Sequence, residues 1–470
     1  MNRLSQNMMR AWVGLGTRYL PFADAATADV PLSRLLRLSL FQVSAGMTLV
    51  LLVGTLNRVM IVELGVPASL VAVMLALPLI FAPLRALIGF KSDTHRSELG
   101  WKRVPFIYRG TMVQFGGLAI MPFALLVLAH QGESASLPAW VGQAAAGLSF
   151  LLVGAGLHIT QTVGLALATD LTPPERQPNV VGLMYVAMLL GSIVSALLFG
   201  YLLEEFTPGR LIQVIQGSAV VILVLNGIAV WKQEARGGAR PLQPGQRDPS
   251  FQESWAHFIA GDKAIRRLLA VGLGTLAFSM QDVMLEPYGG QVLGLAVSRT
   301  TLLTAAMAGG GLVGFSLASY VLSRGFDPFR MAALGAWVGV PAFVMIIVSG
   351  LIGQPALFVV GTLFIGFGAG LFSHGTLTAT MSHAPDDQRG LALGAWGAVQ
   401  ATAAGAGVAL GGIIRDVVAA LTPSSTVIPY IAVYMLEVLL LLAAILAMMR
   451  IADSQRLNHK PVTPARRELP

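Results

Sequence analysis

Along this chain apolar residues come in long runs, not in alternating or one-faced patterns. Each run is near the roughly 20 residues that carry a helix across a bilayer. The stretches between them lack the charged faces that would let such helices pack as a soluble core. Twelve spans are expected, near 38–60, 69–90, 105–129, 139–168, 179–203, 210–231, 266–290, 298–322, 329–350, 355–381, 390–420 and 428–450. The predicted class is an all-α polytopic membrane protein.

Composition agrees: 470 residues, 55% hydrophobic, 11% charged, mean hydropathy +0.71. With no cysteine, disulfides, thiolate metal sites and thiol catalysis are excluded. The net charge of +8 belongs to topology, since Lys and Arg concentrate in the N-terminal tail, the 91–103 loop, the 232–267 stretch and the C-terminal tail. Only Arg58, Arg210, Arg299 and Arg415 of the 31 basic residues fall at the opposite ends of the spans. The positive-inside rule then predicts both termini cytoplasmic. The basic excess fits anionic inner-leaflet lipid and does not argue for nucleic acid. The N-terminal tail lacks the apolar core of a cleavable signal. Its Leu4, Met8, Trp12, Leu15 and Tyr19 recur every three to four residues, as in a helix lying on the membrane surface.

The longest polar segment, 232–267, divides six spans from six. From Ser250, with Glu253 three residues on, it reads as a capping box opening a short helix. The expected organisation is a cytoplasmic segment 1–37, a six-helix half 38–231, a cytoplasmic loop 232–265, a second half 266–450 and a tail 451–470. The halves repeat: 154–191 aligns with 366–403 at a shift of 212, placing Gly154, Gly156, Pro173 and Gly182 on Gly366, Gly368, Pro385 and Gly394. "VELGVPAS" at 62–69 matches "VLGLAVS" at 292–298 at a shift of 229. Six plus six with a long middle loop resembles the major facilitator superfamily, a pseudo-twofold bundle with a central site. The loop "GFKSDTHRSELGWKR" resembles that superfamily's loop between spans two and three, on a longer spacing, with Gly89, Asp93, Lys102 and Arg103 at recognisable places.

Four longer segments carry a finer resemblance: "GTLNRVMIVELGVPASLV" (54–71), "LIGFKSDTHRSELGWKRVPFIYRG" (87–110), "QFGGLAIMPFALL" (114–126) and "QDVMLEPYGGQVLG" (281–294). They are similar to the PucC/LhaA family of phototrophic bacteria, and the resemblance runs over essentially the whole chain. It implies an assembly factor of the light-harvesting antenna, the core antenna before the peripheral one. Such a factor would receive bacteriochlorophyll and hand it to antenna apoproteins in the inner or intracytoplasmic membrane. Antenna polypeptides, the reaction centre, bacteriochlorophyll synthase and membrane lipid are the partners implied. The implied role is not enzymatic, and no nucleotide loop, zinc-protease motif or serine elbow occurs. A secondary transporter, proton-coupled or not, and a cargo-free scaffold are the competing classes.

Candidate sites follow from the first spans of each three-helix unit, which line the cavity in such a fold. Asp282 and Glu286 on span seven are four apart and share a helix face. An acid inside a membrane segment is a functional site by default. Pro287, Tyr288, Gly289 and Gly290 follow, where the helix is expected to break. The 229 shift sets Asn57 opposite Glu286, so Arg58 is the expected cation for either acid, as a gate or as a fixed clamp between the halves. Proton handling is the other role open to the pair. A magnesium tetrapyrrole wants an axial ligand, for which neutral imidazole is suited. His158 and His374, inside spans four and ten, are candidates for that role, with a hydrogen bond across a helix interface as the plain alternative; no direct protein–metal site is expected. Asp170, Arg176, Asp386, Asp387 and Arg389 read as cytoplasmic gating or capping residues, and Glu437 on span twelve has no evident partner.

Overall fold

The computed structural model describes residues 25–27, 29–80, 88, 92, 100–129, 137–173, 176–234, 264–382 and 389–458. The N-terminal surface helix, the Ser250 capping box, Gly89, Asp93, Asp386 and Asp387 lie outside these residues, as does the second half of span two. Among the described residues twelve helices follow in the expected order. They are α1 (Leu32–Glu63), α2 (Ala68–Ile80), α3 (Val104–Leu128), α4 (Ala139–Asp170), α5 (Gln177–Leu202) and α6 (Pro208–Val230). The second six are α7 (Ile265–Gln291), α8 (Val297–Leu322), α9 (Pro328–Ile352), α10 (Pro355–Ser382), α11 (Arg389–Leu421) and α12 (Ile428–Asn458). All but α2 are long and apolar enough to cross a membrane over their described length.

Local chemistry sets the ends. Asp327 caps α9 by accepting the Arg330 amide at 2.9 Å, ahead of Pro328 in the first turn, where a missing N–H costs nothing. Thr207 does the same for α6 before Pro208. Gly353, at φ 67°, closes α9 in the left-handed conformation that a side chain disfavours.

The packing shows the repeat as symmetry. In the first half α1 packs on α5 and α6, α2 on α4, and α3 on α4 and α6. Adding six to each label gives the packing of the second half: α7 on α11 and α12, α8 on α10, and α9 on α10 and α12. The halves meet chiefly through α2–α11 and α5–α8. That pair of contacts exchanges under the same operation, as a pseudo-twofold axis between the halves requires.

Helices approach closely where glycine removes the side chain. On α8 a Cβ at Gly310 would collide with the Leu363 carbonyl of α10, and a Cβ at Gly366 with the Met307 carbonyl of α8. The adjacent Gly309 faces open space. Gly310→Ala is therefore expected to destabilise by about 1–3 kcal/mol through overpacking. Gly309→Ala is expected to be neutral or slightly stabilising, because alanine is the better helix former. Thermal unfolding of the two variants in one detergent checks the contrast.

Candidate functional site

The end of the bundle away from the chain termini, here the distal end, is where α1 and α7 depart from regular helix. α1 runs as π-helix over Val50–Leu56 and again over Val59–Glu63. Such turns are rare and concentrate at functional sites. α7 narrows to a 3₁₀ turn over Met280–Val283 and resumes as a short helix over Leu285–Gln291. The break thus lies before Pro287, not over Pro287–Gly290 as the sequence suggests. The proline ring excludes the carbonyl four residues back, at Val283, and itself fits the first turn of the next helix. Asp282 therefore lies in the break and Glu286 in the opening turn after it, not at a helix C-terminus.

Arg58 corrects the expected pairing. Its guanidinium, 4% exposed, forms its ion pair with Glu63, not with Asp282 or Glu286. Its Nη2 donates to the Leu295 carbonyl in the α7–α8 connection at 2.9 Å. Gly290 leaves room for it, since a Cβ there would sit 3.1 Å from Nη2. The inter-half clamp is real, but it is an arginine on a carbonyl. Glu63 was not anticipated because an α-helix turns residues five apart by about 140°. The π turn, closing five residues on, brings them together.

More contacts tie the halves here. Asn57, fully buried, donates from Nδ2 to the Asp282 carbonyl at 3.4 Å. The hydroxyls of Thr55 and Thr301 lie 3.4 Å apart. Asp416 on α11 accepts the Ser69 amide of α2 at 2.7 Å. Within the second half, Arg415 holds that Asp416 at 2.7 Å and donates to Gln291 at 2.9 Å, and Tyr430 donates to the same Gln291 oxygen at 2.7 Å.

Glu286 points into the second half. It is 1% exposed, and its Oε1 accepts the Thr304 hydroxyl at 3.1 Å while Oε2 has no partner. Asp282 accepts from its neighbour Gln281. Glu437 on α12, fully buried with neither oxygen partnered, lies within electrostatic reach of Asp282. The partnerless acid of the sequence thus joins the pair. Tyr288 packs among residues of its own half. Fully buried, it donates to the Ile346 carbonyl at 3.1 Å and meets the Phe358, Tyr430 and Tyr434 rings at 5.3–5.5 Å between centroids. It anchors α7 inside its own half.

The two histidines lie in opposite halves, both half-buried. The His374 ring is 4.3 Å from the Phe315 ring of α8. Near His158 on α4, Gln161 donates to Gln42 of α1 at 3.3 Å. At the other, proximal end Arg103 is 4% exposed, donates from Nε to Asp170 at 2.9 Å and reaches Ser92. Glu234 accepts the Lys102, Arg103 and Val104 amides at 2.8–3.0 Å. These amides belong to the start of α3, where the helix supplies no acceptor and a carboxylate is favoured. Glu234 is a capping residue that sequence distance concealed, while Arg176 reaches the Ala26 carbonyl.

Comparison with known proteins places this geometry. The family model described as PUCC protein matches residues 55–456. Protein PucC of Rhodovulum sulfidophilum is 64% identical over 89% of this chain and 92% of its own. Protein PucC of Cereibacter sphaeroides is 56% identical over 97% and 100%. The bacteriochlorophyll synthase 44.5 kDa chain of Rhodobacter capsulatus is 29% identical over 84% and 90%. Among solved structures, a bacterial homolog of the human lysosomal transporter Spinster superposes with a TM-score of 0.65 at 14% identity, covering 92% of this chain and 98% of that one. That likeness shows the transporter-type fold.

The revised pairing is open to a double-mutant cycle on thermal stability. Arg58→Gln with Glu63→Gln is expected to couple by about 1 kcal/mol, discounted because Glu63 is partly exposed. Arg58→Gln with Glu286→Gln is expected to couple by less than about 0.5 kcal/mol, as for groups out of contact.

Proposed function

The chain belongs to the PUCC family, and from that premise we propose that it assists assembly of the bacterial light-harvesting antenna, receiving bacteriochlorophyll and passing it to antenna polypeptides. The supporting observation is the pair of half-buried imidazoles, one on α4 and one on α10. A neutral imidazole suits the central magnesium of a tetrapyrrole. His374 also has the Phe315 ring against it, a flat apolar surface of the kind a macrocycle packs on. The amides of Gln42 and Gln161 near His158 are uncharged hydrogen-bonding groups. A neutral amphipathic cargo is better served by such groups than a small ion would be.

The multi-pass bundle would lie in the inner membrane, with the Lys- and Arg-rich proximal end cytoplasmic. The antenna polypeptides, themselves membrane helices, would receive the pigment laterally, with the core antenna as first recipient. Binding and transfer need no covalent step, so no residue is assigned a catalytic role. A solute transporter is the second reading, favoured by the fold shared with the Spinster homolog.

Protein purified in mild detergent from a pigmented host is expected to carry a near-infrared bacteriochlorophyll band. His158→Leu combined with His374→Leu is expected to lose most of it while keeping the same elution volume. An undiminished band in the double variant removes the ligand assignment. Deletion of the gene is expected to lower antenna absorption while pigment synthesis continues. Solute-driven uptake into vesicles with no loss of antenna would support the transporter instead.

A further inference from the structure

Buried acceptor oxygens on α7 and α12, and one on α1, lack a donor. Glu437 has two unpartnered oxygens, and Glu286 Oε2, Gln281 Oε1 and Asn57 Oδ1 have one each. The residues carrying them are at most 2% exposed. The Tyr434 hydroxyl, also fully buried and unpartnered, lies within electrostatic reach of both Glu437 and Glu286. An ionised carboxylate buried without a donor or a cation is among the costliest arrangements in a protein.

The charged and titratable groups on every neighbouring element offer no relief. On α1, Arg58 is taken by Glu63 and the Leu295 carbonyl. On α11, Arg415 is taken by Asp416 and Gln291. On α12 there are Tyr430, Tyr434 and Glu437; on α7, Asp282 and Tyr288. On α8, Thr304 supplies a single hydroxyl to Glu286, and Arg299 is exposed at the helix start. Among the described residues no three His, Asp or Glu side chains converge closely enough to hold a metal ion. What the cluster lacks is positive charge in its smallest form, one hydrogen per carboxyl.

We propose that Asp282, Glu286 and Glu437 form a proton-binding site whose occupancy keeps the distal end closed. The link is short. Glu286 holds the Thr304 hydroxyl, and Thr304 lies against Gly54 of α1 so tightly that a Cβ there would collide with it. Asp282, through its carbonyl, holds Asn57 of the same helix. With protons bound, each carboxyl gains an O–H donor and the α1–α7–α8 contact holds. When Glu286 releases its proton to the solvent, the carboxylate left behind needs water. Water can reach it by parting α7 and α8 from α1. Loss of protons at alkaline pH therefore favours opening, and acid favours closure.

Because the natural chain has no cysteine, Glu204→Cys and Ser424→Cys introduce a unique spin-label pair on exposed distal loops of opposite halves. In lipid nanodiscs the long-distance population is expected to rise severalfold from mildly acidic to alkaline buffer. With Glu286→Gln and Glu437→Gln added, which imitate the protonated acids, the closed population should persist at every pH. Infrared difference spectra of the otherwise unchanged chain read the protons directly. A protonated-carboxyl band should fade over the pH range in which the labels separate. No pH response, a response that survives both Gln substitutions, or separation driven by sodium or magnesium at fixed pH would overturn the proposal. So would a carboxyl band that stays constant while the labels move, a readout that does not require the Gln variant to fold.

Discussion

An ionic group inside a membrane bundle must find its partner within the protein, and the Arg58–Glu63 pair meets that condition in a way that shapes the whole distal end. Residues five apart pair only if the helix is wound to match, and α1 is π-helical on both sides of Arg58. That winding places Gly54 against Thr304 and Asn57 against the Asp282 carbonyl. It also turns the guanidinium toward Gly290 and the Leu295 carbonyl. The same pairing leaves Asp282, Glu286 and Glu437 without a cation in contact. One arginine thus both ties the halves, through the Leu295 carbonyl, and leaves the acids without a cation in contact.

Much of the fold was legible in the sequence. Long apolar runs report bilayer thickness, which does not depend on tertiary detail. The 212- and 229-residue repeats report a duplication that symmetry turns into matching contacts. The distal position of the α1–α7 site was legible too, because charge is rare enough in such sequence for each instance to stand out. Specific partners were not. Arg58 was expected to reach across to the second half's acids, and it reaches Glu63 instead because π-helix has no pattern in composition or spacing. Glu234 caps α3 from 130 residues or more away, and Glu437 comes within electrostatic reach of Asp282 only once α12 packs on α7. Pairings of this kind are set by tertiary geometry, which no local rule encodes. The proline shows the opposite case: its effect on the preceding turn was foreseeable, and only the direction along the chain was misjudged.

The two ends of the bundle do different work. The proximal end is braced within the first half by Arg103, Asp170 and Glu234. The distal end is braced between halves by Arg58, Asn57 and Asp416. On the proposed reading this bundle would hold a lipophilic pigment and release it sideways to membrane helices, a use unlike solute pumping.

Transfer is the act that would define such a protein, and it can be watched. Chain loaded with bacteriochlorophyll is mixed in liposomes with pigment-free antenna polypeptides, and the near-infrared spectrum is followed over time. The account predicts that the carrier-bound band declines as the red-shifted antenna band grows, faster than with free pigment at the same concentration. Equal rates with and without the chain, or pigment that never leaves it, would contradict delivery as its function.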